Sequence, residues 1–104
     1  MRLDQFLKLS RLVVRRSVAA EMCRAGAVRV NDMAAKAGRE IKENDIIILR
    51  RRGELIKARI LTVPTGNVSK SQASTLYDIL SVEPYKEIDN LLNLDEEVDE
   101  DGED

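Results

Sequence analysis

At 104 residues the chain has room for one small domain, with a core too thin to enclose a deep catalytic cavity. Hydrophobic residues make up 43% of it but aromatic residues only 3%, so the core must be aliphatic; no apolar run approaches the roughly 20 residues of a membrane span, and a single cysteine excludes an internal disulfide and fits a reducing cytosol. The net charge of −2 conceals a polarity: residues 1–60 carry +8 and residues 61–104 carry −10, an asymmetry that points to a nucleic-acid surface with an acidic appendage.

The N-terminal run MRLDQFLKLSRLVVRRS alternates basic and apolar residues. It lacks the uninterrupted apolar stretch of a secretory signal, so a cytoplasmic protein without a membrane partner is expected. Leu3, Phe6 and Leu7 recur at helical spacing with Arg2, Lys8 and Arg11 off that face, which predicts a first helix. Ser17 is the expected N-cap of a second helix over 18–24, with Ala19, Met22 and Cys23 as its apolar stripe and Gly26 closing it in a left-handed conformation.

The texture then turns to strand. Val28-Arg29-Val30 alternates, Asn31-Asp32 signals a turn, and a further turn is expected at Glu43-Asn44-Asp45. Residues 46–49 form an apolar, β-branched strand; a polar turn around Gly53 leads to a return strand over 55–63, ended by Pro64-Thr65-Gly66-Asn67. Ser69-Lys70-Ser71-Gln72 fits a capping box, so a C-terminal helix with Leu76, Ile79 and Leu80 as its apolar side is expected. A short turn is expected at Leu91, Leu92 and Leu94. Eight of the last ten residues are acidic, and such a segment is expected to be disordered. The domain is therefore assigned to residues 1–86 and the acidic tail to 87–104. The expected class is α+β: two N-terminal helices on a small, twisted, mainly antiparallel sheet, plus the C-terminal helix.

The absence of histidine removes the usual general base, nucleophile activator and metal ligand together. Cys23 has no Cys or His neighbour to share a metal, and in a buried stripe a thiol behaves as a small hydrophobe. No Gly-rich phosphate loop is present. These points argue against an enzyme and against a cofactor or metal site. The informative residues are basic: Arg2, Lys8, Arg11, Arg15 and Arg16 in the first helix and the connection after it, and Arg29, Lys36 and Arg39 in the adjoining hairpin. If the second helix packs back on the first, the two groups border one surface. Arginine forks bind phosphate in bidentate fashion, which suits structured RNA. With only Phe6, Tyr77 and Tyr85 as aromatics, recognition by shape and phosphate is expected rather than base stacking. Arg50-Arg51-Arg52 reads as a second contact or a solvated hairpin tip, with the tip favoured.

The stretch RLDQFLKLSRLVVRRSVAAEMCRAGAVRVND, followed by AGREIKENDIIIL, resembles the S-four RNA-binding domain over Arg2 to about Leu49. The shared features are an R-L-D-x-F/L-L start, a Ser-Arg, a basic pair before a Ser-capped helix, Gly-x-Val-x-Val-Asn, and a polar residue plus Asp before an apolar strand. The hairpin turn departs mildly, with Asn31-Asp32 where Asn-Gly is usual; Asp tolerates left-handed geometry. No catalytic domain is attached, so the chain is similar to the free-standing copies: the heat-shock-protein-fifteen type and the RqcP type of bacterial ribosome quality control. The first usually ends in a long basic tail. Residues 73–80 of this chain instead resemble the Met/Leu-Tyr-x-Ile-Leu helix that closes the RqcP type. The acidic tail after Glu87 is outside that pattern.

A monomer is expected. The resemblance implies a protein bound to large-subunit rRNA and peptidyl-tRNA on obstructed subunits. It would support C-terminal alanine tailing by a tail-synthesising factor of the RqcH/NEMF type, with peptide transfer left to the ribosome. By motif match, Arg2, Arg11, Arg15 and Arg16 carry most of the RNA contact. Asp4 either orients one of these arginines or is a first-turn acid favoured by the helix dipole. Two alternatives stand beside this reading: subunit rescue of the heat-shock-protein-fifteen type, and a protein-interaction module acting through the acidic tail.

Overall fold

The structure is a computed structural model and describes residues 1–84. The tail expected over 87–104, and the turn expected at Leu91, Leu92 and Leu94, lie outside the described residues. The apolar stripe makes the first helix, α1 (Leu3–Leu9), which buries Leu3, Phe6 and Leu7 completely. Its last turn is finished by Ser10, whose hydroxyl donates to the Leu7 carbonyl and accepts from the Leu12 N–H. Arg11 follows in a left-handed conformation, φ 62°, where glycine is usual.

The second helix, α2 (Arg16–Arg24), starts earlier than expected. Arg15 precedes its first turn, no side chain caps it, and Ser17 lies inside the helix. The anchor at this end is tertiary: Arg16 is bonded to Asp4 of α1, which fixes the first turn without a local cap. At the other end Gly26 closes α2 as expected, with φ 77°. Its N–H donates to the Cys23 carbonyl and the Ala27 N–H to the Met22 carbonyl, the two bonds of a Schellman motif.

Five strands follow: β1 (Val28–Val30), β2 (Met33–Ala34), β3 (Ile46–Arg51), β4 (Glu54–Ile60) and β5 (Tyr77–Pro84), with a one-turn helix, α3 (Lys70–Ala73), before the last. They form one sheet in the order β2-β1-β3-β4-β5, every pair antiparallel. Both tight hairpins turn on two residues with positive φ, Asn31-Asp32 and Arg52-Gly53. That is the type I′ geometry, which matches the twist of the flanking strands. Asp32 therefore does tolerate the left-handed position. Alternation puts Val28, Val30, Ile47, Leu49 and Ile56 on the face that packs with Ala19 and Cys23 of α2 and with α1. Each fully buried aliphatic side chain contributes about 1.5–3 kcal/mol. Arg29, Ile48, Arg50 and Leu55 fall on the opposite face by the same register.

The C-terminal helix needs correction. The capping box is present: Ser69 Oγ accepts from the Gln72 N–H, and Gln72 returns the bond to the Ser69 N–H. The helix it starts lasts one turn, and its expected apolar face is not helical. Leu76 is buried just before β5, and Ile79 and Leu80 lie within β5. The reason is the open edge of β4, whose unpaired N–H and C=O groups are satisfied by the segment 77–84. The spacing of Leu76, Ile79 and Leu80 is accommodated by a bulge. Ser81 pairs with Lys57 and Ile79 with Ala58, so Leu80 is the extra residue.

A polar clamp joins the first hairpin to the start of β3. Asp45 is buried; its carboxylate accepts from Asn31 Nδ2 at 3.1 Å and from the Lys42 N–H at 3.0 Å. Asn31 Oδ1 in turn accepts from the Ile46 N–H at 2.9 Å. The Asn and Asp of the sequence pattern are thus partners.

Candidate nucleic-acid interface

The N-terminus is held by the loop that returns from β2. The Leu3 N–H donates to the Arg39 carbonyl, the Asp4 N–H to the Ala37 carbonyl, and the Ile41 N–H to the Met1 carbonyl. The Met1 ammonium pairs with Glu40 at 2.6 Å. These bonds satisfy the orphan N–H groups at the start of α1 and bring residues 36–39 beside Arg2. The guanidinium of Arg2 lies over Gly38, where an added Cβ would sit 3.5 Å from its central carbon.

Asp4 is the hub. Only 4% of it is exposed, and it accepts from Arg2 Nε and from Arg16 Nε, each at 3.2 Å, and from the Gln5 N–H. Burial by itself raises the Asp4 carboxyl, but the hydrogen bonds and charges of Arg2 and Arg16 outweigh it and hold the group below its ordinary value. Both arginines spend Nε on Asp4 while half of each side chain stays in solvent, 53% for Arg2 and 50% for Arg16. Each fork is therefore fixed through Nε while the side chain keeps half its surface in solvent, and a partly ordered guanidinium suits a phosphate contact.

The remaining basic residues fall into groups. Lys8 is exposed one turn after Asp4 on α1, and Arg11 follows three residues later, exposed at its left-handed position. Arg15 is exposed at the start of α2, and Lys36 is exposed and Arg39 half-buried in the loop over α1. Among the described residues these five side chains have no hydrogen-bond or ion-pair partner. Arg29 is separated from them: it lies on the opposite face of the sheet, and its Nη1 donates to the Asp32 carbonyl. The hairpin region thus brings Lys36 and Arg39, but not Arg29, to the side of Arg2 and Arg16.

Sequence reasoning missed the tie at the far hairpin. Arg51 is not merely a solvated tip residue; its Nη1 donates to the Leu12 carbonyl and binds the β3–β4 turn to the α1–α2 connection. An arginine triplet in a polar turn gives no local sign of such a partner. Cys23 is a core residue, 7% exposed; burial, and secondarily the charge of Asp4, push its thiol up, the opposite of what a reactive cysteine needs.

With this geometry in place, comparison with known proteins is decisive. The S4 domain matches residues 1–47. The RQC P-site tRNA stabilizing factor of Halalkalibacterium halodurans is 45% identical over 84 residues, covering 81% of this chain and 94% of that protein. The chain belongs to the RQC P-site tRNA stabilizing factor family. The Bacillus subtilis member is 34% identical, over 84% of this chain and all of that protein. Among solved structures, the trimeric Vibrio cholerae Heat Shock Protein 15 superposes with a TM-score of 0.72 at 26% identity, covering 78% of this chain and 82% of that one. The hypothetical protein HP1423 gives 0.68 at 36% identity, covering 80% of this chain and all of the other. In the terms of this family, the S4 match takes in the Asp4 hub, both helices, the loop over α1 and the Asn31–Asp45 clamp. Strands β4 and β5 lie beyond it.

Proposed function

We propose that this protein is a non-enzymatic RNA-binding factor of ribosome quality control. In this reading it lies against rRNA and peptidyl-tRNA on obstructed large subunits and holds that tRNA in the P-site position. Its family relatives are named for stabilizing P-site tRNA, which supports the choice of ligand. The observation that carries the reading is the pair of half-exposed guanidinium forks pinned by one buried carboxylate, Arg2 and Arg16 on Asp4. Free surface arginines lose about 2 kcal/mol of rotamer freedom on being ordered, and here part of that ordering precedes binding. Lys8, Arg11, Arg15, Lys36 and Arg39 extend the positive surface around the hub. The protein supplies contacts and geometry; mRNA-independent alanine tailing would depend on a tail-synthesising factor of the RqcH/NEMF type on the same subunit, and peptide transfer on the ribosome.

Replacement of Arg16 by Ala tests the reading. Loss of a charge-assisted phosphate contact costs about 1.5–3 kcal/mol, so co-sedimentation with free large subunits should weaken at least tenfold. Thermal unfolding should fall by several degrees, because buried Asp4 loses one of its two arginine partners, while the transition stays cooperative and the fold is kept. Unchanged co-sedimentation would reject this surface. Likeness to Heat Shock Protein 15 favours a second reading, subunit rescue without tailing. Capture of the tail-synthesising factor on the same subunits separates the two.

A further inference from the structure

A groove of about 610 Å³ opens between the α1–α2 connection, α2 and the tip of the β3–β4 hairpin. Its floor is apolar, formed by Val14, Val18 and Met22, and its rim is basic, formed by Arg15, Arg51 and Arg52. Val14 is 77% exposed and Val18 45%. Solvent-facing valines beside arginines are a poor fit to nucleic acid alone: phosphate pairs with the rim and leaves the floor wet. They fit a ligand that is both acidic and aliphatic.

Such a segment belongs to the chain itself. Residues 85–104 contain ten acids and one lysine, and Ile88, Leu91, Leu92 and Leu94 are set just ahead of the most acidic stretch. The last described residue lies near the groove. Pro84 ends β5 opposite Glu54 of β4, and Glu54 itself lines the groove. Leu91 is seven residues beyond Pro84, a reach of up to about 25 Å in extended chain. A tether this short also gives a high effective concentration. We propose that the groove between α2 and the β3–β4 hairpin is the docking site of this chain's own C-terminal segment, with Leu91, Leu92 and Leu94 on the valine floor and the following acids on Arg15, Arg51 and Arg52. Glu54, the one acid in the lining, sits at the entry and leaves the basic rim to set the direction of the segment. Docking also covers Arg15, so it masks part of the basic surface; that consequence rests on the RNA reading above.

The test uses the full chain with the photo-reactive residue p-benzoylphenylalanine at position 92. Irradiation should give intramolecular cross-links to Val14, Val18 or Met22, mapped by mass spectrometry. Yield should fall threefold or more in Val18→Lys, which alters an exposed position, and also on raising salt from 0.05 to 0.5 M, about a 14 Å to 4 Å screening length. Cross-links elsewhere on the protein, or a yield indifferent to Val18→Lys, would overturn the proposal. Cross-links between isotopically light and heavy copies would assign the groove to a second chain instead and equally overturn it. Saturating purified large subunits should lower the cross-link yield; an undiminished yield in co-sedimented protein refutes the masking. Failure to co-sediment counts against the RNA reading, while the cross-link still decides the docking.

Discussion

Asp4 illustrates how one buried side chain can organise a surface. Its two oxygens divide between Arg2 and Arg16, which come from different elements. A count of charges and a positional account make opposite predictions for Asp4→Asn. Removing a negative charge from a phosphate-binding face should tighten RNA binding if charge alone matters. If the carboxylate positions the forks, the variant should bind large subunits several-fold more weakly, and that is the expected result by co-sedimentation. Stability supplies an independent readout. The Asp4 carboxyl is held below its ordinary value once both arginines have overcome the effect of burial. Its contribution is therefore present at neutral pH and is lost as pH falls through the lowered folded value. The stability difference between the native chain and Asp4→Asn should be flat from pH 7 to about pH 5 and shrink only below about pH 4. A difference that vanishes near neutrality would contradict the bonding seen here.

At the scale of elements, the clamp between Asn31 and Asp45 does what neither turn does alone. The β1–β2 turn and the start of β3 are separated by 14 residues along the chain, and the buried carboxylate joins them while satisfying the Lys42 N–H. Asp45→Ala leaves the Asn31 amide and that N–H without their acceptor. Bonds to a charged group are worth about 1.5–3 kcal/mol, so the variant should lose about 2–4 kcal/mol in urea unfolding. The loop over residues 36–39 begins just after β2 and ends just before Lys42, so its amides should exchange faster. Helix α2, capped by its own Schellman motif, should keep its protection. The edge strand β5 shows a different lesson. Leu76, Ile79 and Leu80 satisfy helical spacing, yet the same segment holds Tyr77, Ile79 and Val82 opposite Ile60, Ala58 and Ile56. A helix propensity of a few tenths of a kcal/mol per residue yields to a row of ladder bonds with β4.

At the scale of the whole molecule, the basic half of the sequence folds into the helices and hairpins, while most of the acidic excess belongs to residues 85–104, outside the described residues. If four to six phosphates are neutralised, log K should fall against log salt with a slope of about −3 to −5 on a duplex-like RNA. Filter binding across a salt series measures it; a slope near zero would mean that the arginine hub does not meet RNA.

Much of the architecture was legible without coordinates because it is local. The α1 stripe follows from 3.6-residue periodicity, the end of α2 from Gly26, and the hairpin turns from Asn31-Asp32 and Gly53, each fixed by neighbours a few residues away. The S-four resemblance likewise assigned the RNA contact to Arg2, Arg11, Arg15 and Arg16, and left Asp4 either orienting one of these arginines or serving the helix dipole. What the sequence could not settle were the matters decided by partners far along the chain. Asp4 is bonded to two arginines rather than serving only a helix dipole; Arg29 is turned to the other side of the sheet by strand register; Arg51 ties a hairpin to Leu12, 39 residues earlier. The segment after Ala73 is strand and not helix for the same reason. Its local pattern permits both, and the open hydrogen-bonding edge of β4, which exists only once the sheet has formed, selects the strand.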